Sequence, residues 1–490
     1  MPRPWPDIVF ASEHDPAALS RAVARGTLRR LARGLYSGDL ATAAEPLVEQ
    51  HLLTIVGHEF PGAVLVDRSA ASGGRPVDGA LFVDHPRQRP VTLPGVVVWP
   101  RRGPGPQPGD MDMPAGLKLS SEARALLDNL APTRPRARVT RTLAPVAVEE
   151  WIDRLVRDRG PDDVNVIRHQ ARELAPVLQR TAEMERLDAL IGAALNTRDD
   201  VHMRSPALAA RSSGRPYDPR RLDLFAALVT TLAQESPHTL PALPDDRPRR
   251  ALLPFYEAYF SNFIEGTEFT IDEAADIVFG HAIPSDRPAD AHDIAGTYEI
   301  VADDREMRRV PRTSEELVEI LQRRHAILMA GREETRPGRF KLNPNRAGAT
   351  EFVAPELVEG TLEQAFALVR DVHSAFHRAV FMMFLLAEVH PFADGNGRIA
   401  RIMMNAELQH ALEVRIIVPT VYRNNYLSAL RAATHNSSFD PLIATLRFAQ
   451  RYTARIDFTA RATAEHDLAR TNAFRDPNEA EASGVRLVLP

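Results

Sequence analysis

The sequence predicts a mainly helical fold: a helical C-terminal half carrying one β-hairpin, behind a smaller N-terminal half that mixes helices and strands. Three observations predict it. Residues 362–389 are rich in Phe, Met, Leu and Ala, and residues 398–412 place Ile399, Ile402, Met403 and Ala406 at helical spacing, so two helices follow one another there. Gly338-Arg339-Phe340-Lys341-Leu342 alternates apolar and polar side chains, breaks at Asn343-Pro344-Asn345, and is followed by a second extended run at Thr350-Glu351-Phe352-Val353. Short apolar runs such as Val64-Leu65-Val66 and Val96-Val97-Val98 read as strands.

From the N-terminus, Asp15-Pro16 starts a helix, with Asp15 as cap and Pro16 in the first position. Leu19, Val23, Leu28 and Leu31 are its candidate core, Gly26 is a turn between two short helices, and Gly34-Leu35-Tyr36 enters a β-wing. With Arg21, Arg25, Arg29, Arg30 and Arg33, residues 1–46 resemble the winged helix-turn-helix opening of abortive-infection type IV antitoxins. The resemblance implies that these arginines meet DNA phosphates and groove edges. A solvated arginine-rich hairpin used for protein contacts stays open beside it. The likeness continues faintly through a small α+β region, residues 47–155.

Arg101-Arg102-Gly103-Pro104-Gly105-Pro106-Gln107-Pro108-Gly109 reads as a loop, and residues 132–141 are a second basic, proline-containing stretch. Residues 149–195 read as helices within a helical connector, residues 156–250, whose end carries Pro237, Pro241, Pro244 and Pro248. Residues 461–490 are expected to form a mobile tail, polar and acidic over about 472–484.

The densest chemistry lies in His390-Pro391-Phe392-Ala393-Asp394-Gly395-Asn396-Gly397-Arg398-Ile399-Ala400-Arg401. Pro391 disfavours helical geometry at His390, so the imidazole sits just past a helix end. Asp394-Gly395-Asn396-Gly397 has residue types that tolerate left-handed backbone angles, and successive amides in such a turn form an anion-binding concavity. The turn opens onto a helix N-terminus, which favours phosphate. Arginines there oppose the helix dipole by ~0.3–1 kcal/mol each, a cost that bound polyphosphate would offset. Asp394 suits Mg²⁺, and an imidazole can accept a hydroxyl proton near neutral pH.

This run resembles the signature of the Fic family, His-x-Phe-x-Asp/Glu-Gly-Asn-Gly-Arg-x-x-Arg, at every fixed position, and the likeness covers about residues 251–460. The resemblance implies an all-helical core with a β-hairpin flap, and transfer of AMP from ATP to a Ser, Thr or Tyr hydroxyl of a target protein. It makes His390 the general base, Phe392 the loop anchor and Asp394 the Mg²⁺ ligand. Gly395, Asn396 and Gly397 would cradle phosphate, with Arg398 and Arg401 gripping it. Ala347, Gly348, Ala349 and Thr350 become the nucleotide-facing part of the flap. Tyr426 and Leu427 stand where many members carry two aromatics against the base; Tyr426 as a core residue is the equal alternative.

Ser261-Asn262-Phe263-Ile264-Glu265-Gly266 resembles the inhibitory motif Ser/Thr-x-x-x-Glu-Gly/Asn, in the subclass whose inhibitory helix precedes the core. There the glutamate pairs with the second arginine of the signature, here Arg401, and takes it from the γ-phosphate. The plainer alternative is a helix end: Phe255, Phe260, Phe263 and Ile264 bury one face and Gly266 stops it.

With 490 residues and 44% hydrophobic side chains, the chain has material for more than one domain. It has no cysteine, which excludes disulfides, thiolate zinc sites and a cysteine nucleophile. Lys118 and Lys341 are its two lysines and neither follows a glycine, so a P-loop is excluded. The net charge of -5 argues against a surface that coats nucleic acid throughout. The start lacks an apolar signal core and the longest apolar run, residues 379–387, is too short for a bilayer, so a soluble cytoplasmic protein without membrane contact is expected. The leading expectation is an autoinhibited protein adenylyltransferase acting on a target protein or on itself. A DNA-binding regulator of a toxin–antitoxin or phage-defence system, and a Fic enzyme that removes AMP, remain as alternatives. Homo-oligomerisation stays open.

Overall fold

Asp15 caps the first helix, Pro16–Ala24, by accepting the N–H groups of Ala17 and Ala18 at 3.3 and 3.1 Å. No second helix follows. Gly26, at φ +65°, ends the first one, and the chain turns into strand Arg29–Ala32, which pairs with Leu35–Ser37, itself paired with Val9–Phe10. Leu19 and Leu28 are buried as expected, whereas Val23 is exposed and Leu31 only half-buried, because Leu31 lies in a strand and not on a helix face. The five arginines therefore spread over a helix (Arg21, with Arg25 at its C-cap), a strand (Arg29, Arg30) and the hairpin tip (Arg33).

The apolar runs near residues 64 and 96 are strands of a six-stranded mixed sheet. Its order is Val91–Leu93, Val96–Arg101, Ala80–Asp84, Val64–Leu65, Lys118–Leu119 and Met111–Asp112. The computed structural model describes residues 5–133, 139–244 and 247–490, so the first four residues and the middle of the basic stretch at 132–141 lie outside it, as do residues 245–246 of the proline-rich approach.

The chain divides into two units, Met1–Gly214 and Arg215–Pro490. The expected connector, residues 156–250, falls on both sides of that division. Helix Pro145–Leu178, kinked at Gly160, shares a core with Leu126 and Leu127 in the first unit, while Leu224, Phe225 and Leu228 of helix Pro219–Gln234 enter the core of the second.

The second unit is helical around Ala375–Val389, whose Phe381, Met382, Met383, Phe384, Leu385 and Leu386 are fully buried. A helix apolar on all sides belongs inside a bundle, and this one packs lengthwise on Asn396–His410. The tail is packed, contrary to expectation. Helices Arg461–Arg470 and Pro477–Ser483 bury Ala464, Leu468 and Ala480 against Tyr256 and Phe260. The hairpin is also displaced: its strands are Arg346–Ala347 and Thr350–Glu351. Residues 338–342 form no strand, since Lys341 donates its N–H to the Pro391 carbonyl at 2.9 Å and so runs beside the motif loop. Among the described residues no helix is long and apolar enough to cross a membrane.

Candidate active site

His390 is the last residue whose N–H bonds back into helix Ala375–Val389, donating to Leu386 O at 3.0 Å. Its own backbone is left-handed (φ 51°, ψ 58°), which throws the ring off the helix and onto Phe352, stacked at 3.7 Å. Burial pushes the imidazole down to about 4, so it is neutral near pH 7. Nδ1 lies 3.4 Å from Ala387 O; a proton held there leaves the Nε2 lone pair as the acceptor.

The next residues are clamped from several sides. Phe392 is fully buried and stacks on His325 at 3.7 Å. The Asn396 amide closes the loop, its Oδ1 accepting Phe392 N–H and its Nδ2 donating to Phe392 O, both at 2.8 Å. Asn345 Nδ2 donates to the same carbonyl at 2.9 Å. His325 accepts Gly338 N–H on Nδ1, so Nε2 carries the proton and donates to Asp394 O at 3.1 Å. Gly395, at φ +73°, sits where a Cβ would come 2.8 Å from Met329 Sδ. Glycine is required there twice over.

Asp394 holds its side chain half in solvent, with Oδ1 accepting Gly395 N–H at 2.6 Å. Its Oδ2 lies 3.9 Å from Arg398 Nη2. Arg398 itself is buried: Nη1 contacts Asp293 Oδ2 at 2.5 Å and donates to Asn262 Oδ1 at 3.2 Å. Asp293 in turn accepts from Arg332 Nε at 3.0 Å, and Arg332 Nη2 reaches Asp290 at 2.6 Å. The result is an alternating chain of charge behind the loop, from Arg398 to the surface.

Arg401 faces the other way. Its Nη2 is 2.7 Å from Glu265 Oε1, its Nε donates to Ser261 Oγ at 2.9 Å, and Nη2 also donates to Ser261 O at 2.8 Å. A Cβ built on Gly397 would meet Glu265 Oε1 at 2.2 Å. The glutamate carboxylate therefore rests on the first turn of helix Asn396–His410, where an anion is favoured. Helix Arg247–Ile264 delivers it there because Gly266 (φ +92°) and Thr267 return their N–H groups to Phe263 and Asn262, a Schellman-type end.

The structure thus brings together His390, Phe392, Asp394, Gly395, Asn396, Gly397, Arg398, Arg401, Ser261, Glu265 and Gly266. Tyr426 stands apart from the expected base-stacking pair. It is 1% exposed and donates its hydroxyl to Met383 Sδ at 3.4 Å, so both ring faces are in the core. Leu427 is half-buried. Ala347, Gly348 and Ala349 are exposed at the hairpin turn, and Thr350 Oγ1 lies 3.0 Å from His435 Nε2.

The model of the Fic/DOC family matches residues 316–408, the span that holds this loop. The chain contains a Fic-family domain. It is 24% identical over 187 residues to "Protein adenylyltransferase Fic" of Drosophila yakuba, covering 36% of this chain and 37% of that protein. To "Protein adenylyltransferase Fic" of Nematostella vectensis it is 27% identical over 209 residues, 41% of this chain and 47% of the relative. The chain therefore spans less than half the length of these curated relatives. Among solved structures it is similar to a Fic domain containing signaling protein from Bacteroides thetaiotaomicron, with TM-score 0.38, 19% identity, and coverage of 50% of this chain and 97% of that one.

Sequence reasoning missed His325, Asn345, Asn262 and Asp293 around the Fic loop. Asp293 left a signal, an acid between Ala291 and Ile294 on an apolar helix face, since a buried carboxylate needs a cation. His325 and Asn345 left none.

Proposed function

We propose that the Fic domain is an autoinhibited protein adenylyltransferase that moves AMP from ATP to a Ser, Thr or Tyr hydroxyl of a target protein and releases pyrophosphate. One observation carries the reading: Glu265 lies on the phosphate-favouring first turn beside Gly397, paired at 2.7 Å with Arg401, while His390 is neutral in the same loop.

His390 Nε2 takes the proton of the target hydroxyl. The hydroxyl oxygen then bonds to the α-phosphorus of ATP, and the bond from that phosphorus to the pyrophosphate oxygen breaks. The amides of Gly395, Asn396 and Gly397 hold phosphate oxygens, and Arg401, once released by Glu265, takes the charge of the outer phosphates. Arg398 steadies the cup and Asp394 from behind. Asp394 fits Mg²⁺, because one oxygen is free of hydrogen bonds and a single carboxylate suffices when phosphates complete the shell. Held by Asp394, Mg²⁺ would supply neutralisation of phosphate charge. The exposed strand edges of Arg346–Ala347 and Thr350–Glu351 align an extended target segment by strand addition.

The test is labelling. Purified protein with cell extract, α-labelled ATP and Mg²⁺ is compared as wild type, Glu265→Gly and Glu265→Gly/His390→Ala. Label should rise at least tenfold in Glu265→Gly and vanish in the double variant; equal labelling in all three rejects the roles. Loss of label from pre-modified protein by wild type alone would favour removal of AMP, with Glu265 aligning water. For the first unit, the exposed Arg21, Arg25, Arg30 and Arg33 support DNA contact. Gel shifts unchanged by Arg21→Ala/Arg25→Ala would end that reading.

A further inference from the structure

The two lysines of the chain are treated differently. Lys118 Nζ pairs with the exposed Asp112 Oδ1 at 2.7 Å. Lys341 is 4% exposed, and among the described residues no carboxylate pairs with it. Its Nζ donates to Asn345 Oδ1 at 2.7 Å and lies 3.5 Å from Val389 O. A buried cation with neutral partners alone is costly, because two carbonyls replace only part of its hydration. Such groups concentrate where their charge serves the chemistry.

Lys341 grips the chain on both sides of His390. Its N–H donates to Pro391 O at 2.9 Å and its Nζ faces Val389 O. Asn345, held by that ammonium, donates Nδ2 to Phe392 O at 2.9 Å. A neutral donor could hold these carbonyls as well; the ammonium adds charge beside the imidazole. The charged groups facing His390 come from three places: Lys341, Glu265 beyond helix Arg247–Ile264, and Asp394 in the motif loop. The two carboxylates favour the imidazolium and the ammonium opposes them. Phe352 covers a ring face and brings no charge. Farther off, Arg221 and Glu388 form an ion pair, and His435 borders Glu388. Burial, with Arg221 nearby, brings Lys341 down to about 8, so the ammonium is still its main form at pH 7.

We propose that Lys341 is a positioning residue for His390: it fixes the loop on either side of the imidazole, and its buried charge holds that imidazole in the proton-accepting form against Glu265 and Asp394. The charge is needed whether or not Glu265 is in place, since Asp394 belongs to the loop itself. The effect on transfer rests on the adenylyltransferase reading; the charge state of His390 does not.

The His390 ring is followed by NMR in the full chain labelled at histidine, its signal identified by its absence from His390→Gln. Lys341→Met keeps the length and removes the charge; Lys341→Gln also keeps a donor for the carbonyls. Both should raise the His390 midpoint, by about half a pH unit or more. Lys341→Arg, which restores the cation, should return the midpoint to the wild-type value. The other histidine signals report the fold of each variant, and if Lys341→Met is misfolded Lys341→Gln decides. A midpoint unmoved in the folded neutral variants, or raised equally in Lys341→Arg, overturns the role of the charge. In the Glu265→Gly background the acid limb of labelling should move up with the midpoint in Lys341→Gln. A merely structural loss would instead lower labelling equally at every pH, and that result also overturns the proposal. Absence of all label contradicts the transfer reading alone and leaves the NMR result to judge Lys341.

Discussion

Asp293 is the residue on which the loop's electrostatics turn. It is buried between Arg398 and Arg332, and it cancels a charge that would otherwise sit unpaired beneath the turn at residues 394–397. Removing one partner of such a pair typically costs ~3–5 kcal/mol, while replacing both by apolar groups is often neutral. Urea denaturation should therefore show Asp293→Asn as strongly destabilised, with Asp293→Leu/Arg398→Met recovering most of the loss. Comparable destabilisation of the double variant would contradict the pairing. His390 gives a pH prediction of definite sign. Its folded value is about 4, against ~6.5 for an unfolded histidine. Between those values the unfolded chain takes a proton that the folded one refuses, so this group's stability contribution is complete above ~6.5 and is lost as pH falls towards 4, by up to ~1.4 kcal/mol per pH unit. His390→Gln should flatten that part of the stability curve. Transfer should keep its base form down to about pH 4 to 5; an acid limb centred at 6.5 would show that His390 is not buried as described. These residues also mark what a sequence reveals. The signature is legible because its groups are contiguous and its spacing is fixed. Asp293 and His325 serve the same loop from 65 to 105 positions away, and only the fold makes them neighbours.

At the scale of elements, the end of helix Arg247–Ile264 supplies Arg401 with its partners, Ser261 and Glu265. Gly266, at φ +92°, allows the turn that aims Glu265 at Arg401. Gly266→Ala should cost ~1–2 kcal/mol locally and raise labelling above wild type, with a thermal midpoint lowered by only a few degrees. Wild-type labelling in that variant would separate the turn from inhibition. The same glycine ended a helix in the sequence reading, and it does so here. The hairpin was only partly legible. Alternation at 338–342 suggests a strand, yet the amide of Lys341 is claimed by Pro391 O, so pairing begins later, around a two-residue turn at Gly348-Ala349. The tail misled by composition: Ala464 and Leu468, at i and i+4, and the Asp476-Pro477 helix start were enough to bury it despite its polar average. Tyr426 was undecidable from its helix alone, because Met383 and Arg401 surround it from elsewhere in the chain.

Across the molecule, each unit carries its own core, and the second contains every residue placed in the transfer chemistry. Residues 215–490 expressed alone should unfold in one cooperative transition, and with Glu265→Gly should label as the full chain does. A fragment that folds but cannot label would assign the first unit a part in transfer. Length alone implied more than one domain, but the division at 214 was not legible, because helix Pro145–Leu178, although broken at Gly160-Pro161, keeps its apolar face on a core of the first unit along its whole length. The central claim is that Glu265 keeps a phosphate cup closed, and calorimetry on Glu265→Gly tests it most directly. ATP uptake should depend on Mg²⁺ in that variant and should lose this dependence on Asp394→Ala. If the Glu265→Gly protein takes up no ATP with or without Mg²⁺, the claim is contradicted.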